Sequence, residues 1–161
     1  MVRRFARPLL ILAGLWLTAA PARAQTDAVP SAVRDSIVGV VEQFFAAMKA
    51  RDTAALARTM LPSARSDIIE HRGDSTVIGG APMSEFLAQL PSIEPELVER
   101  MWDPQVLEHR GLAVVWTPYD FHIGGRFSHC GVDAFTLLRT PVGWRISGVA
   151  YTVEREGCRG R

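Results

Sequence analysis

LAVVWTPYDFHIGGRFSHCGVDAFTLLRTPVGWRISGVAYTVE, running from Leu112 to Glu154, is the stretch whose reading decides the fold. Two segments rich in β-branched and aromatic residues flank Gly124-Gly125, and a third follows Thr140-Pro141-Val142-Gly143. Such residues suit a pleated, half-buried surface, and a diglycine can take positive φ at both central positions of a two-residue hairpin. The expectation is an antiparallel meander. Counting outward from Gly124-Gly125 pairs Asp120 with His129, Trp116 with Asp133 and Val114 with Phe135. One face then holds Val114, Trp116, Asp120, His122, Phe127, His129, Asp133 and Phe135, and the other Val115, Thr117, Tyr119, Phe121, Cys130, Val132 and Ala134. With Pro141-Val142 as the next turn, Glu154 falls beside His129 and Ala150 beside Asp133. A slip of one residue would exchange the faces.

Upstream the period changes. Val33, Ile37, Val40, Val41, Phe44, Phe45 and Met48 recur every three to four residues, the stripe of an amphipathic helix that Ser31 is placed to cap. Asp52 is placed to cap a second helix over Ala54 to Met60, before Pro62. Asp67 to His71 and Thr76 to Ile78 read as a small hairpin around Gly73-Asp74. Pro82 and Ser84 open a short helix with Phe86, Leu87 and Leu90 that Pro91 stops. Leu97 to Met101 and Val106 to His109 read as one long strand interrupted at Asp103-Pro104, since proline cannot donate to a ladder. Helices first and an antiparallel sheet after make an α+β pattern.

Residues 1–24 have the form of a signal peptide: Arg3, Arg4 and Arg7, an apolar run from Pro8 to Ala20, and Ala22-Arg23-Ala24 before Gln25. Residues 25–30 read as a flexible leader, 31–158 as one domain and 159–161 as a tail. Removing four Arg with the signal lowers 18 basic residues to 14, against 17 acidic, a formal charge of −3. Interspersed charge of that sign argues against a nucleic-acid partner, and the apolar run is shorter than the roughly 20 residues of a membrane span, so no membrane association is expected after processing. The reading is an exported protein, periplasmic or extracellular. In such a compartment Cys130 and Cys158 are expected to pair, a bridge worth roughly 3 kcal/mol in the chain-entropy account. The alternative, a reactive thiol at Cys130 beside His129, is disfavoured because adjacent strand residues point to opposite faces.

Taken together, Val41-Glu42-Gln43-Phe44-Phe45, Ala50-Arg51-Asp52-Thr53-Ala54-Ala55-Leu56, Gly111-Leu112-Ala113-Val114-Val115-Trp116 and Phe135-Thr136-Leu137-Leu138 before Gly143-Trp144-Arg145-Ile146 give a pattern that resembles the nuclear transport factor 2-like superfamily. That superfamily includes SnoaL-like polyketide cyclases and ketosteroid isomerases. Ser128-His129-Cys130-Gly131 and the terminal Cys158 resemble a secreted branch of unknown function. The resemblance implies a cone-shaped, curved antiparallel sheet packed on N-terminal helices, with a pocket lined by the first helix and the inward face of the sheet. Phe44, Trp116, His122, Asp133 and Phe135 are the expected lining. Ketosteroid isomerases use a first-helix tyrosine as oxyanion donor; the first helix here carries Phe44 and Phe45 and no Tyr, so that mechanism does not transfer.

Three functions fit. The first is binding of a small, mostly apolar molecule without a cofactor, since aromatic walls with a few polar groups suit such a ligand. The second is a cofactor-free isomerase, cyclase or dehydratase with His129 as acid or base and Asp120 as its orienter, because a carboxylate fixes an imidazole tautomer. Against it stands a solvated rim of Asp120, His129 and Glu154 that meets no substrate. The third is a homodimeric assembly module using a convex face of Val115, Thr117 and Tyr119. A metal held by His122, His129 and a carboxylate is not expected, as the histidines flank a turn without pairing. Arg100, Arg110, Arg126, Arg139 and Arg145 read as a charged outer face, with anion recognition the alternative, and Trp102 and Trp144 as packing. No phosphate-cradling glycine loop, metalloprotease helix or nucleophile elbow is present.

Overall fold

The computed structural model describes residues 28–158; the expected signal peptide, most of the expected leader and the tail lie outside the described residues. Helix α1 (Ser31–Ala50) buries Ile37, Val41, Phe44, Phe45 and Met48, the stripe read from the sequence. Its cap differs from expectation. Pro30 occupies the N-cap with its carbonyl accepting from the amides of Val33 and Arg34 (both 2.9 Å), and Ser31 is already helical. Asp52 does cap α2 (Thr53–Thr59), accepting from the Ala55 amide at 2.8 Å. The helix ends one residue early because Met60 begins a strand.

The sheet has seven strands: β1 (Met60–Arg72), β2 (Ser75–Pro82), β3 (Leu97–Met101), β4 (Gln105–His109), β5 (Leu112–Ile123), β6 (Arg126–Thr140) and β7 (Gly143–Val153), with α3 (Met83–Gln89) between β2 and β3. The order β2-β1-β7-β6-β5-β3, with β4 also on β5, is antiparallel except where β1 runs parallel to β7. The sheet is large, curved and unclosed, and the N-terminal helices pack on its concave side, an α+β cone-like architecture. The Phe44, Phe45 and Phe135 rings meet edge to face at 5.7–5.8 Å, joining α1 to β6.

β3 and β4 follow successive halves of β5, as the interrupted strand predicted. The break faces Pro118, which has no amide to offer a neighbour. Instead the Trp102 amide donates to the Pro118 carbonyl (3.3 Å) and the Thr117 hydroxyl donates to the Trp102 carbonyl (3.0 Å).

Both turns of the meander form as counted: Ile123 pairs with Arg126 across Gly124 (φ 58°) and Gly125 (φ 75°), and Thr140 pairs with Gly143. The register beyond them does not. Between β5 and β6 it shifts at Ser128, so that Phe121 faces His129, Asp120 faces Cys130, Thr117 faces Asp133 and Val115 faces Phe135. Between β6 and β7 it shifts at Ser147, so that Asp133 faces Tyr151 and Ala134 faces Ala150. Glu154 bridges to Cys130, not His129. Each shift is a β-bulge: one extra residue on one strand reverses the parity of everything past it. The Ser147 hydroxyl donates to the Thr136 carbonyl at 3.1 Å, and the Ser128 hydroxyl contacts His129 Nδ1 at 2.9 Å.

Candidate functional site

The bulge at Ser128 decides which residues of β5 face the concave side. They are Val115, Thr117, Tyr119 and Phe121, of which the first three are almost completely buried. These are residues assigned to the outer face by counting, so the proposed convex dimer surface of Val115, Thr117 and Tyr119 is corrected: it is interior. On β6 the counted inner set holds for His129, Asp133 and Phe135, which line a cavity of about 210 Å³ together with Phe44 of α1.

Three expected site residues lie on the other face. Trp116 is 53 % exposed on the convex side. Asp120 turns away from His129 toward Arg100, whose Nε donates to Asp120 Oδ1 at 2.8 Å and whose Nη2 contacts Oδ2. His122 stacks edge-on with Phe127 (5.7 Å) and its Nδ1 stands 3.7 Å from Asp120 Oδ1. The Asp120–His129 pair and the two-histidine set are therefore split across the sheet.

What the sequence reading missed is the polar centre of the cavity. Glu99 on β3 pairs with Phe121, which pairs with His129, so its carboxyl enters from the far side of β5 and meets that of Asp133. Burial pushes Asp133 up to about 7, opposed by a hydrogen bond from Glu99. Burial, then the charge of Asp133 and the hydrogen bond to it, raises Glu99 well above the usual carboxylate range. Burial and the mutual charge of the two carboxyls thus favour a proton shared between them. Asp133 Oδ2 is buried with no hydrogen-bond partner. Alternation in Leu97-Val98-Glu99-Arg100-Met101 was the available signal: one acid falls on the parity of two apolar residues.

Two tyrosines complete this centre. Tyr151 lies opposite Asp133 and the Tyr119 ring stands edge-on to it at 6.4 Å. Burial raises both phenols, and the charges of Asp133 and Glu99 add to it. Tyr119 donates its hydroxyl to the Thr152 carbonyl at 2.7 Å. Gly131 permits that approach: a Cβ there would stand 2.1 Å from the same Thr152 oxygen.

His129 sits at the other end of the lining, 5.1 Å from the Phe121 ring. Burial lowers its pKa, Arg155 adds to that and Glu70 opposes it, so the imidazole is neutral at neutral pH. Behind it Glu70, itself buried, accepts from Arg155 Nε at 3.2 Å and from Arg72, and the hydrogen bond from Arg72 is the main cause holding its carboxyl below the usual range. The arginines point elsewhere than the cavity: Arg139 covers the Trp144 ring at 5.6 Å, and Trp144 is core, as expected. Cys130 and Cys158 form a disulfide with Cα atoms 5.9 Å apart, which returns the chain after β7 to the back of β6.

No family model and no curated protein matches the sequence. Solved structures do match in fold. A protein from Streptomyces avermitilis, named as a candidate dehydratase of the nuclear transport factor 2-like family, superposes with a TM-score of 0.62 at 17% identity over 78% of this chain and 99% of that one. A nuclear transport factor 2-like superfamily protein from Salmonella enterica serovar Typhimurium gives 0.60 at 15% identity over 81% and 97%. A nuclear transport factor 2-like protein of unknown function from Silicibacter pomeroyi gives 0.55 at 19% identity over 77% and 98%.

Proposed function

We propose that this nuclear transport factor 2-like fold serves here as a receptor for one small, mostly apolar molecule, held in the cavity between α1, α3 and the concave sheet without a cofactor. The observation that carries the reading is the lining itself: Phe44, Phe86, Phe121 and Phe135 form aromatic walls, and polar groups gather at Glu99, Asp133 and Tyr151. Burial on such walls supplies affinity and the polar cluster orients the ligand. The test is titration of the isotope-labelled protein with uncharged ethylbenzene, followed by amide shifts. Shifts centred on Asp133, Phe135 and Tyr151 that vanish in the cavity-filling variant Val149→Trp are expected; shifts that survive the filling overturn the reading.

A second reading is proton transfer. An imidazole at His129 that burial holds toward its neutral form and a carboxyl at Glu99 that burial holds toward its protonated form share one cavity, which supports it, as does the fold shared with the Streptomyces protein. His129 and Asp133 are four residues apart, roughly 13 Å along a strand, so they fit the two ends of a substrate and not a dyad. Deuterium uptake next to the carbonyl of a small apolar ketone should be lost in His129→Ala with folding intact; uptake at the parent rate excludes His129.

Assembly is supported by a convex strip in which Leu107, Leu112, Trp116 and Leu138 are all exposed. A second copy of the chain is the partner we assign to it, and a clean monomer in light scattering at high micromolar concentration counts against it. Export is supported by the disulfide and by the lack, among the described residues, of a helix long and apolar enough to cross a membrane. The processed form should begin at Gln25; a cytosolic chain with free thiols overturns export.

A further inference from the structure

A buried acceptor needs a donor, and Asp133 offers one that has none. The residue is 2 % exposed, it lines the cavity, and its Oδ2 lacks a partner. The two carboxyls face each other, and Oδ2 of Asp133, buried and without a hydrogen-bond partner, stands as an acceptor. The groups facing the pair are Tyr119 from β5 and Tyr151 from β7, with Asp120 behind the sheet neutralised by Arg100, and His129 farther along β6. The α1 and α3 side of the cavity contributes Phe44, Met48, Met83 and Phe86, none of them charged. Among the described residues, those lining the cavity include no lysine or arginine. An acidic pair thus stands among aromatic rings with no cation to match it.

We propose that the ligand is a small amine, an ammonium group on an apolar body, whose N–H groups meet Asp133 Oδ2 while the rings of Tyr119, Tyr151 and Phe121 flank the cation. The proposal rests on the cavity being a binding site and names the chemistry of its occupant. An anion would meet the carboxyl pair unscreened. A ketone or ether brings no donor and leaves Oδ2 buried and unpaired, which costs binding. An alcohol brings one donor but no charge. An ammonium brings both, and aromatic faces attract it further when water is excluded. Because the cation favours the ionised form of Asp133, a carboxyl pushed up to about 7, binding below that pH must release a proton and affinity rises with pH. An alkylamine that titrates like lysine, near about 10.4, stays charged throughout.

Calorimetric titration of the full chain with phenethylamine, phenethyl alcohol and ethylbenzene, at about pH 5.5 and about pH 8.5, tests this on either side of the Asp133 titration. At the higher pH the amine should bind about tenfold tighter than the alcohol, and at the lower pH that advantage should shrink to about twofold or less. Asp133→Asn should abolish the advantage yet keep ethylbenzene binding, which also shows that the variant folds. Equal binding of all three probes at both pH values overturns the ammonium proposal and leaves the cavity reading standing. An advantage that persists in Asp133→Asn places the cation elsewhere and also overturns it. Binding of none of the three overturns both.

Discussion

Asp120 and Asp133 lie on opposite faces of one sheet and are nearly equally buried, at 8 % and 2 % exposure. Asp120 has a guanidinium placed to receive both its oxygens. Asp133 has another carboxyl. Burial alone therefore does not set what an aspartate does; the charge that meets it does. The convex aspartate ties β3 to β5 and serves stability, whereas the concave one stands in an apolar hollow with an unmet acceptor, at a cost to stability that a structural residue has no reason to carry.

The harshest way to break this comparison is to delete Ser128. Removing the bulge residue imposes the uninterrupted register, which turns either His129 or the Asp120 row to the wrong face, and a loss of more than about 3 kcal/mol in urea unfolding is expected. A deletion that costs little would mean that the bulge does not hold the two aspartates apart. Arg100→Ala comes next. It strands Asp120, and because the arginine is itself largely exposed the expected cost in urea unfolding at neutral pH is about 2 kcal/mol.

Asp133→Asn should act in the opposite direction. Its folded pKa of about 7 lies above the ordinary 3.8, so the native state holds the proton more tightly than the unfolded chain. No penalty exists below the ordinary value; it grows as pH rises to about 7 and stays constant above. The neutral amide removes it, so thermal unfolding at about pH 8 should show a gain on the order of 1 kcal/mol that disappears by about pH 4. A loss of stability at both pH values would contradict the reading of this carboxyl as an uncompensated group. The smallest effect belongs to Tyr151→Phe. It leaves the ring beside Asp133 and removes only the hydroxyl, so stability should change by about 0.5 kcal/mol or less, while the polar end of any bound probe shifts its amide signals.

Much of the fold was legible. The helical stripe from Val33 to Met48, the Asp52 cap, the break at Asp103-Pro104 and both meander turns come from local chemistry that acts at the residues where it is written. The site was less so, because a turn fixes pairing only until something adds a residue. On β7 the shift could have been seen: Trp144 and Ile146 are buried on even positions, Val149 and Val153 on odd ones, and the change of parity brackets Ser147. No such mark surrounds Ser128, since β5 is apolar on both parities, with Val114 and Trp116 alternating against Val115 and Thr117. His129, Asp133, Phe135 and Phe44 survive as lining, whereas Asp120, Trp116 and His122 do not. The same one-residue step makes Tyr151, and not the counted Ala150, the partner of Asp133.

Those serine insertions also bear on how such a chain can diversify. A single added residue within a strand exchanges its inward and outward sets while the turns on either side keep their geometry, so the contents of the hollow can be replaced wholesale by one in-frame codon. Descendants of one ancestor could then share turns and core yet expose unrelated chemistries to what they capture, and sequence alignments that place gaps only in loops would superimpose residues from opposite sides of the sheet.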